Sequence, residues 1–448
     1  MQRQNDRRRA DGSASHATLT VLAVAALVAA AAAQTAETGA GATAARDQAT
    51  ERQLAGLTNT NEAAGSDGDA PRRQLVSWNE YKGPFVTARL GGGFLYDYSA
   101  YDQDEDSKAQ MDLAAKADLR DFRVLLKGAF PTIPGLSYTL GYMYDKAVDD
   151  WKFRQTGLQY EIPALHGRIF VGRTKEGIST NKLMVGYQGW TMERATINDA
   201  LLPILADGVK WMGNSPSGQF VYSLGWFGDN YSEKESFNRS DEQVVGRLIW
   251  LPFLLSKPED VLHLGVSFRH ASADDGELRL RSKPESFEAQ SYAIDTGTFK
   301  AQGSDIVGLE TYFRPGSWSF GMEYFLDYVS SRDHDDPFFH GGEIFASYIL
   351  TGEKKPYNTS SATFERVSPG QSVFEGGRGA WEVVLRYSYS DLDSKDIRGG
   401  KFWRITPMVN WHMSDNVRLE FVYGYGMLDR FDLKGATHFF QTRLQLQL

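Results

Sequence analysis

Large apolar and polar side chains alternate along most of this chain, which marks it as an all-β protein whose antiparallel strands cross a membrane as a closed barrel. The clearest stretch starts at Val417, where Leu419, Phe421, Tyr423, Tyr425 and Met427 interleave with Arg418, Glu420, Val422, Gly424 and Gly426. Successive side chains of a strand point to opposite faces, so one face here is nearly continuous hydrocarbon and the other is wet and partly charged. The same rhythm closes the chain, with Phe440, Thr442, Leu444, Leu446 and Leu448 set against Gln441, Arg443, Gln445 and Gln447. A second observation is hydropathy: the mean is −0.41, and outside the amino terminus no apolar run approaches the roughly twenty residues a membrane helix needs. Barrel strands escape that test, since each needs only about ten residues, half of them apolar. The third is the 13% aromatic content, with rings near the ends of the apolar faces where lipid headgroups would lie.

Taken in order, the chain opens with an export signal over residues 1–33. Arg3, Arg7, Arg8 and Arg9 form a basic start, Leu19 to Val28 is apolar and alanine-rich, and Ala31 to Ala33 offer a small-residue cleavage site. A single anchoring helix is the alternative reading. Residues 34–76 are rich in Ala, Gly, Thr, Gln, Glu and Asp with almost no large apolar side chains, which suits a flexible periplasmic leader. Residues 77–448 then supply the barrel. The 448-residue chain contains no cysteine, which excludes a disulfide framework and thiolate metal sites and suits passage through an oxidising periplasm. A formal charge of −9 argues against a nucleic-acid partner.

From Phe85 onward, strand-like stretches alternate with connectors of two classes. Clear strands run through Leu136 to Tyr144, Phe220 to Trp226, Leu262 to Phe268, Trp318 to Tyr328 and Trp381 to Tyr389. Short connectors such as Pro131 to Gly135, Pro163 to Gly167 and Ser414 to Asn416 predict periplasmic turns. Long polar ones predict extracellular loops: Asp97 to Asp112, Lys175 to Asp207, Asp229 to Glu242, Ser330 to His340 and Gly352 to Gly379. About seventeen strands can be traced, whereas a bacterial barrel with both ends in the periplasm needs an even number. Sixteen and eighteen therefore both stand, with the uncertain segments at Ala271 to Gly303 and Thr351 to Gly379. The loop from Lys175 to Asp207 predicts a constriction folded into the barrel, because Leu183, Met184, Val185, Tyr187 and Trp190 need a dry place.

With the apolar parity turned to lipid, the opposite parity names the lumen. It places inward Arg123, Lys127, Lys210, Arg247, His263, Arg269, Arg279, Arg281, Arg386, Arg404, Arg418 and Arg443. On the acidic side it gives Asp121, Glu310, Glu323, Asp327, Glu343, Glu382 and Glu420. If the strands carrying Arg269 and Arg279 with Arg281 form a hairpin about Asp274 to Gly276, like charges oppose one another across it. Such a row either passes an anion, as basic rings do in anion pores, or is neutralised by neighbouring carboxylates. Lys175, Lys182 and Arg194 in the constriction loop complete the candidate anion-binding set.

The stretches VGRTKEGIS (Val171 to Ser179), MERA (Met192 to Ala195), DGVKWMG (Asp207 to Gly213), LRDFRVLLKG from Leu119, LRLRSKPES from Leu278 and YILTGEKKPY from Tyr348 occur in a fixed order. With GAWEVVLRYSYSDL from Gly379 and ITPMVNWHMSDNVRLEFVYGY from Ile405, they resemble the phosphate-selective porin O and P family over most of residues 85 to 448. The resemblance implies a sixteen-stranded barrel, usually a homotrimer in the outer membrane of a Gram-negative-type bacterium, through which phosphate or related anions diffuse. It supports roles for Arg123, Lys127, Lys175, Arg194, Lys210, Arg279 and Arg281. Membrane lipid, lipopolysaccharide and small anionic solutes are the implied partners. The chain departs from the pattern in ending on Leu448 rather than an aromatic residue, and in its many lumenal carboxylates. A general or carbohydrate-conducting porin is the nearest rival function. A hydrolase using a carboxylate pair such as Glu310 and Glu323 is more remote. No nucleophile elbow, glycine-rich phosphate loop or metal-binding histidine spacing is present, and no cofactor or metal is implied.

Overall fold

A computed structural model describes residues 79–145, 149–184, 186–230 and 240–448. The predicted signal segment and the whole of the leader lie outside them. Sixteen antiparallel strands form one closed barrel. The first eight are β1 (Thr87–Gln103), β2 (Lys116–Ala129), β3 (Leu136–Asp145), β4 (Asp150–Ile162), β5 (Gly167–Thr174), β6 (Ala206–Asn214), β7 (Phe220–Asn230) and β8 (Ser240–Trp250). The rest are β9 (Val261–Ala273), β10 (Gly303–Arg314), β11 (Trp318–Ser330), β12 (Phe338–Ile349), β13 (Ala380–Ser394), β14 (Ile397–His412), β15 (Val417–Arg430) and β16 (Leu433–Gln447). Each pairs with its sequence neighbours, and closure comes from β1 against β16, in register from Gly93↔Gln447 to Gln103↔Thr437.

Burial along the strands is the reverse of a soluble sheet. In β15, Arg418 and Glu420 are buried while Phe421 and Tyr423 are exposed. Phe320, Ile344, Leu385 and Ile405 continue the exposed apolar belt around the barrel. A wall dry outside and polar inside is stable only where the outside meets hydrocarbon.

The count of sixteen decides between the sixteen and eighteen strands that the sequence left open. Residues 277–302 contribute no barrel strand: Glu277–Leu278 pairs with Phe299–Lys300, and Arg281–Ser282 with Ile294–Asp295, as two small ladders inside one long loop. The expected hairpin of Arg269 with Arg279 therefore does not form, and β9 pairs instead with β8 and β10. A second correction concerns residues 350–379. Because they follow an even number of strands, they lie at the barrel end where β1 begins and β16 ends, with the short turns, opposite the connectors at residues 175–205 and 274–302.

Among the described residues, three connectors turn inward. The first, residues 175–205, carries short helices at Thr180–Leu183 and Thr196–Leu201. It is the constriction loop expected from sequence. The second, residues 274–302, crosses toward β13–β16 and β1, where Tyr101 and Ser286 hydroxyls lie 2.6 Å apart. Together they bury Ile197, Leu201, Leu280, Ile294 and Phe299 against wall residues Phe325, Phe339, Phe402 and Phe439. At the opposite end the third loop, residues 350–379, brings Phe364 to Trp190 of the first, with ring centroids 4.7 Å apart. The lumen along β9–β16 is thus packed with protein.

Candidate passage and its cations

The first inward loop is fixed by the carboxylates that parity placed inside. Glu310, Glu323 and Glu343 stand directly opposite one another on β10, β11 and β12. Glu323 accepts hydrogen bonds from the Ser179 hydroxyl at 2.5 Å, the Asn181 amide at 2.8 Å and the Tyr312 hydroxyl at 2.7 Å, while Glu310 accepts from the Thr180 amide at 3.0 Å. These acceptors satisfy backbone amides of the short helix that would otherwise be orphaned. The pair considered for hydrolysis is therefore occupied in holding a loop. Farther along, Asn410 donates to Trp190 O at 2.8 Å and Arg418 to Gly189 O at 2.9 Å, so the loop continues along β14 and β15.

On the other side the inward residues of β2–β5 stay partly open to solvent, among them Arg123, Lys127, Arg154 and Arg168. The front of the first inward loop, where Lys175 and Arg194 are half-buried, is likewise partly open. The predicted cations divide accordingly. Arg247 forms a buried pair with Glu310 at 2.6 Å and Arg269 with Glu176 at 2.7 Å, and Lys182 pairs with half-buried Asp199 at 2.7 Å inside the first inward loop. Buried Lys210 donates to the carbonyl of Lys175 at 2.7 Å. These four hold the loop and the wall in shape. Arg279 is paired with Asp295 at 2.6 Å within the second inward loop, where Arg281 lies 4.4 Å from the Tyr292 ring. Arg269 is thus separated from Arg279 and Arg281 in fold and in partner, and the arginine row expected from sequence is replaced by three separate contacts.

Of the remaining candidates, Arg123, Lys175 and Arg194 are half-buried and Lys127 is exposed. Lys175 donates to the carbonyls of Leu183 and Met184 at 2.8 and 2.7 Å, and Arg194 to those of Asn181 and Met184 at 3.2 and 3.3 Å. Carbonyl acceptors orient a cation without cancelling its charge. Burial, reinforced by Arg194, Arg123, Arg154 and Lys182, holds the Lys175 amine well below the usual lysine range. Arg123 is held by Asp121, with Nε to Oδ1 at 2.8 Å.

The parity reading did not name Arg120, Arg154 and Arg168 of this wall, and β-bulges explain the first two. Pairing of β1 with β2 shifts between Leu95 and Tyr96, and that of β3 with β4 between Leu140 and Tyr142. Each bulge adds a residue and breaks the two-residue rhythm. Arg120 sits in the first of them, reaching inward to Glu193 at 2.9 Å, and Arg154 sits in the second. Lys283 was missed differently, because its segment reads as a strand and is a loop. Among the described residues no group of His, Cys, Asp or Glu is arranged to hold a metal ion.

Comparison with known proteins bears on this architecture. The model of the family described as phosphate-selective porin O and P matches residues 88–448. Porin O of Pseudomonas aeruginosa is 24% identical over 200 residues, 38% of this chain and 45% of that protein. An uncharacterised protein of Caulobacter vibrioides is 28% identical over 280 residues, 60% of this chain and 54% of the other. The chain thus spans about half the length of the curated relatives it matches. In fold it is similar to the anion-selective porin from Comamonas acidovorans, with a TM-score of 0.50 and 13% identity over 81% of this chain and 100% of the other. The outer membrane channel DcaP of Acinetobacter baumannii gives a TM-score of 0.51 and 10% identity, over 81% of this chain and 98% of that one.

Proposed function

The chain belongs to the phosphate-selective porin O and P family of outer-membrane porins, and we propose that it lets small anions, phosphate or related oxyanions among them, diffuse through a passage between β2–β5 and the first inward loop. The observation that carries this reading is the way Lys175 and Arg194 are held: their hydrogen bonds among the described residues go to main-chain carbonyls, which orient both groups without placing a negative charge against them. Arg123, Lys127 and Arg154 oppose them from the wall. A site of this kind replaces part of an anion's hydration shell with fixed donors, the means by which basic pores select. Of the candidate residues named from sequence, we assign the passage to Arg123, Lys127, Lys175 and Arg194, and a supporting role to Lys182, Lys210, Arg247 and Arg269.

Transport here is passive, with no reaction and no cofactor. The exposed apolar belt meets membrane lipid, and lipopolysaccharide on the outer side. The signal at residues 1–33 directs export. A homotrimer is the proposed assembly, a form also recorded for OmpT of Vibrio cholerae. Planar-bilayer recordings across a KCl gradient test the reading: reversal potentials should show chloride preferred to potassium, and added phosphate should block the chloride current. Potassium preference would overturn it. A general diffusion pore is the second reading, favoured by the carboxylates Asp121 and Glu193 beside the cations. It predicts anion preference without phosphate block.

A further inference from the structure

The inward cations are held by two chemistries, and the difference has a functional consequence. Some are anchored by a carboxylate, as in Arg247 with Glu310 and Arg269 with Glu176. Others rest on aromatic rings, as Arg404 does over Phe439 on the packed side at 4.2 Å. Beside the proposed passage, Lys283 stands over Phe287 at 5.1 Å, Arg120 over the same Phe287 at 4.0 Å, and Arg123 over Tyr187 at 5.1 Å. Lys283 belongs to the second inward loop, and Arg120 and Arg123 follow one another along β2.

A carboxylate fixes a cation by cancelling it. A ring face attracts a cation through its quadrupole and leaves the net charge intact. Lys283 is the clearest case: its amine donates to the carbonyl of Phe287 at 2.7 Å and rests on that residue's ring. Arg120 and Arg123 also keep one carboxylate each, Glu193 and Asp121, and for them the ring supplies a second, uncharged hold. Space for one ring is built into the wall. Gly93 of β1 faces Arg123 directly across the strand pair, and a methyl group there would stand 2.3 Å from Tyr187 Cζ.

We propose that Phe287 and Tyr187 are positioning residues of the anion passage, holding Lys283, Arg120 and Arg123 in line without adding negative charge beside them. The assignment rests on the anion-passage reading above. It goes further in stating how the cations stay charged and which uncharged residues set selectivity.

The test uses the full mature channel in planar bilayers, with potassium chloride gradients and inorganic phosphate as the blocking anion. Phe287→Leu keeps apolar bulk and removes the ring, and should lower the chloride-to-potassium permeability ratio by about twofold and weaken phosphate block in parallel. Phe287→Tyr should restore both. Gly93→Ala, which displaces the Tyr187 ring, should act like Phe287→Leu, whereas Tyr187→Phe should behave as wild type. An anion-selective wild type matched by both Phe287→Leu and Gly93→Ala overturns the ring assignment alone. Failure of Phe287→Tyr to restore selectivity overturns it too, since packing would then be the cause. A wild type without anion preference overturns the passage reading and this assignment together. Should Phe287→Leu fail to fold, Gly93→Ala with Tyr187→Phe decides.

Discussion

Each cation's partner determines what its removal does. Arg247 and Glu310 are both buried and mutually paired, so Arg247→Ala strands a carboxylate away from water and is expected to cost about 3–5 kcal/mol. The loss should appear as a lower temperature at which the folded band disappears on detergent gels. Lys127 is exposed and fixes nothing that deep. Lys127→Ala is expected to leave that temperature unchanged within a few degrees, corresponding to about 0.5 kcal/mol or less, while reducing anion preference. Lys175 adds a pH dependence. Its pKa is depressed by burial and by neighbouring cations, so it carries charge below its shifted value and loses it as pH rises through that value. Anion preference should therefore decline on going alkaline, at a lower pH than an ordinary lysine would require. Lys175→Arg should abolish that step, because a guanidinium stays protonated. An identical pH profile in both proteins would place the titration elsewhere.

Among the elements, the first inward loop stays in place through the row of Glu310, Glu323 and Glu343, three inward positions in register on successive strands. Glu323→Ala removes the acceptor for Ser179, Asn181 and Tyr312 together and should loosen the loop. Single-channel traces should then become noisy and conductance larger; a quiet trace of wild-type size would show that other contacts suffice. Much of this was legible in the sequence, and where legibility failed the cause is physical. Period-two alternation identifies β15 residue by residue, and Leu183, Tyr187 and Trp190 betray a loop that needs burial. Parity fails at the bulges beside Leu95 and Leu140, which is why Arg120 and Arg154 went unnoticed. It also misreads residues 277–282, where alternating Leu and Arg pack a lumen-filling loop: Leu278 and Leu280 face the inner apolar cluster, not lipid. The end of the barrel from which residues 350–379 enter depends on the strand count, so an error of one strand reversed it.

For the molecule as a whole, the apolar belt and the polar lumen are consequences of one alternation, and selectivity depends on how protein fills that lumen. With β9–β16 packed by loops, the proposed passage would hold a solute near β2–β5, beside Arg123, Lys175 and Arg194. Two mechanisms can then favour anions. The summed field of the cations acts over distance and is screened by salt, with a Debye length of about 10 Å at 0.1 M and about 3 Å at 1 M. Direct donation from guanidinium and ammonium groups to an oxyanion acts at contact and is screened far less. The chain's formal charge of −9 gives the molecule no general attraction for anions, so any long-range field must come from the passage itself. Raising the mean potassium chloride concentration from about 0.1 to about 1 M at a fixed gradient ratio should bring the chloride-to-potassium permeability ratio toward unity. Phosphate block of the current should persist at the higher salt, because it depends on contact. Loss of block in step with the permeability ratio would show that the field alone selects. A permeability ratio indifferent to salt would show that the constriction coordinates even chloride directly.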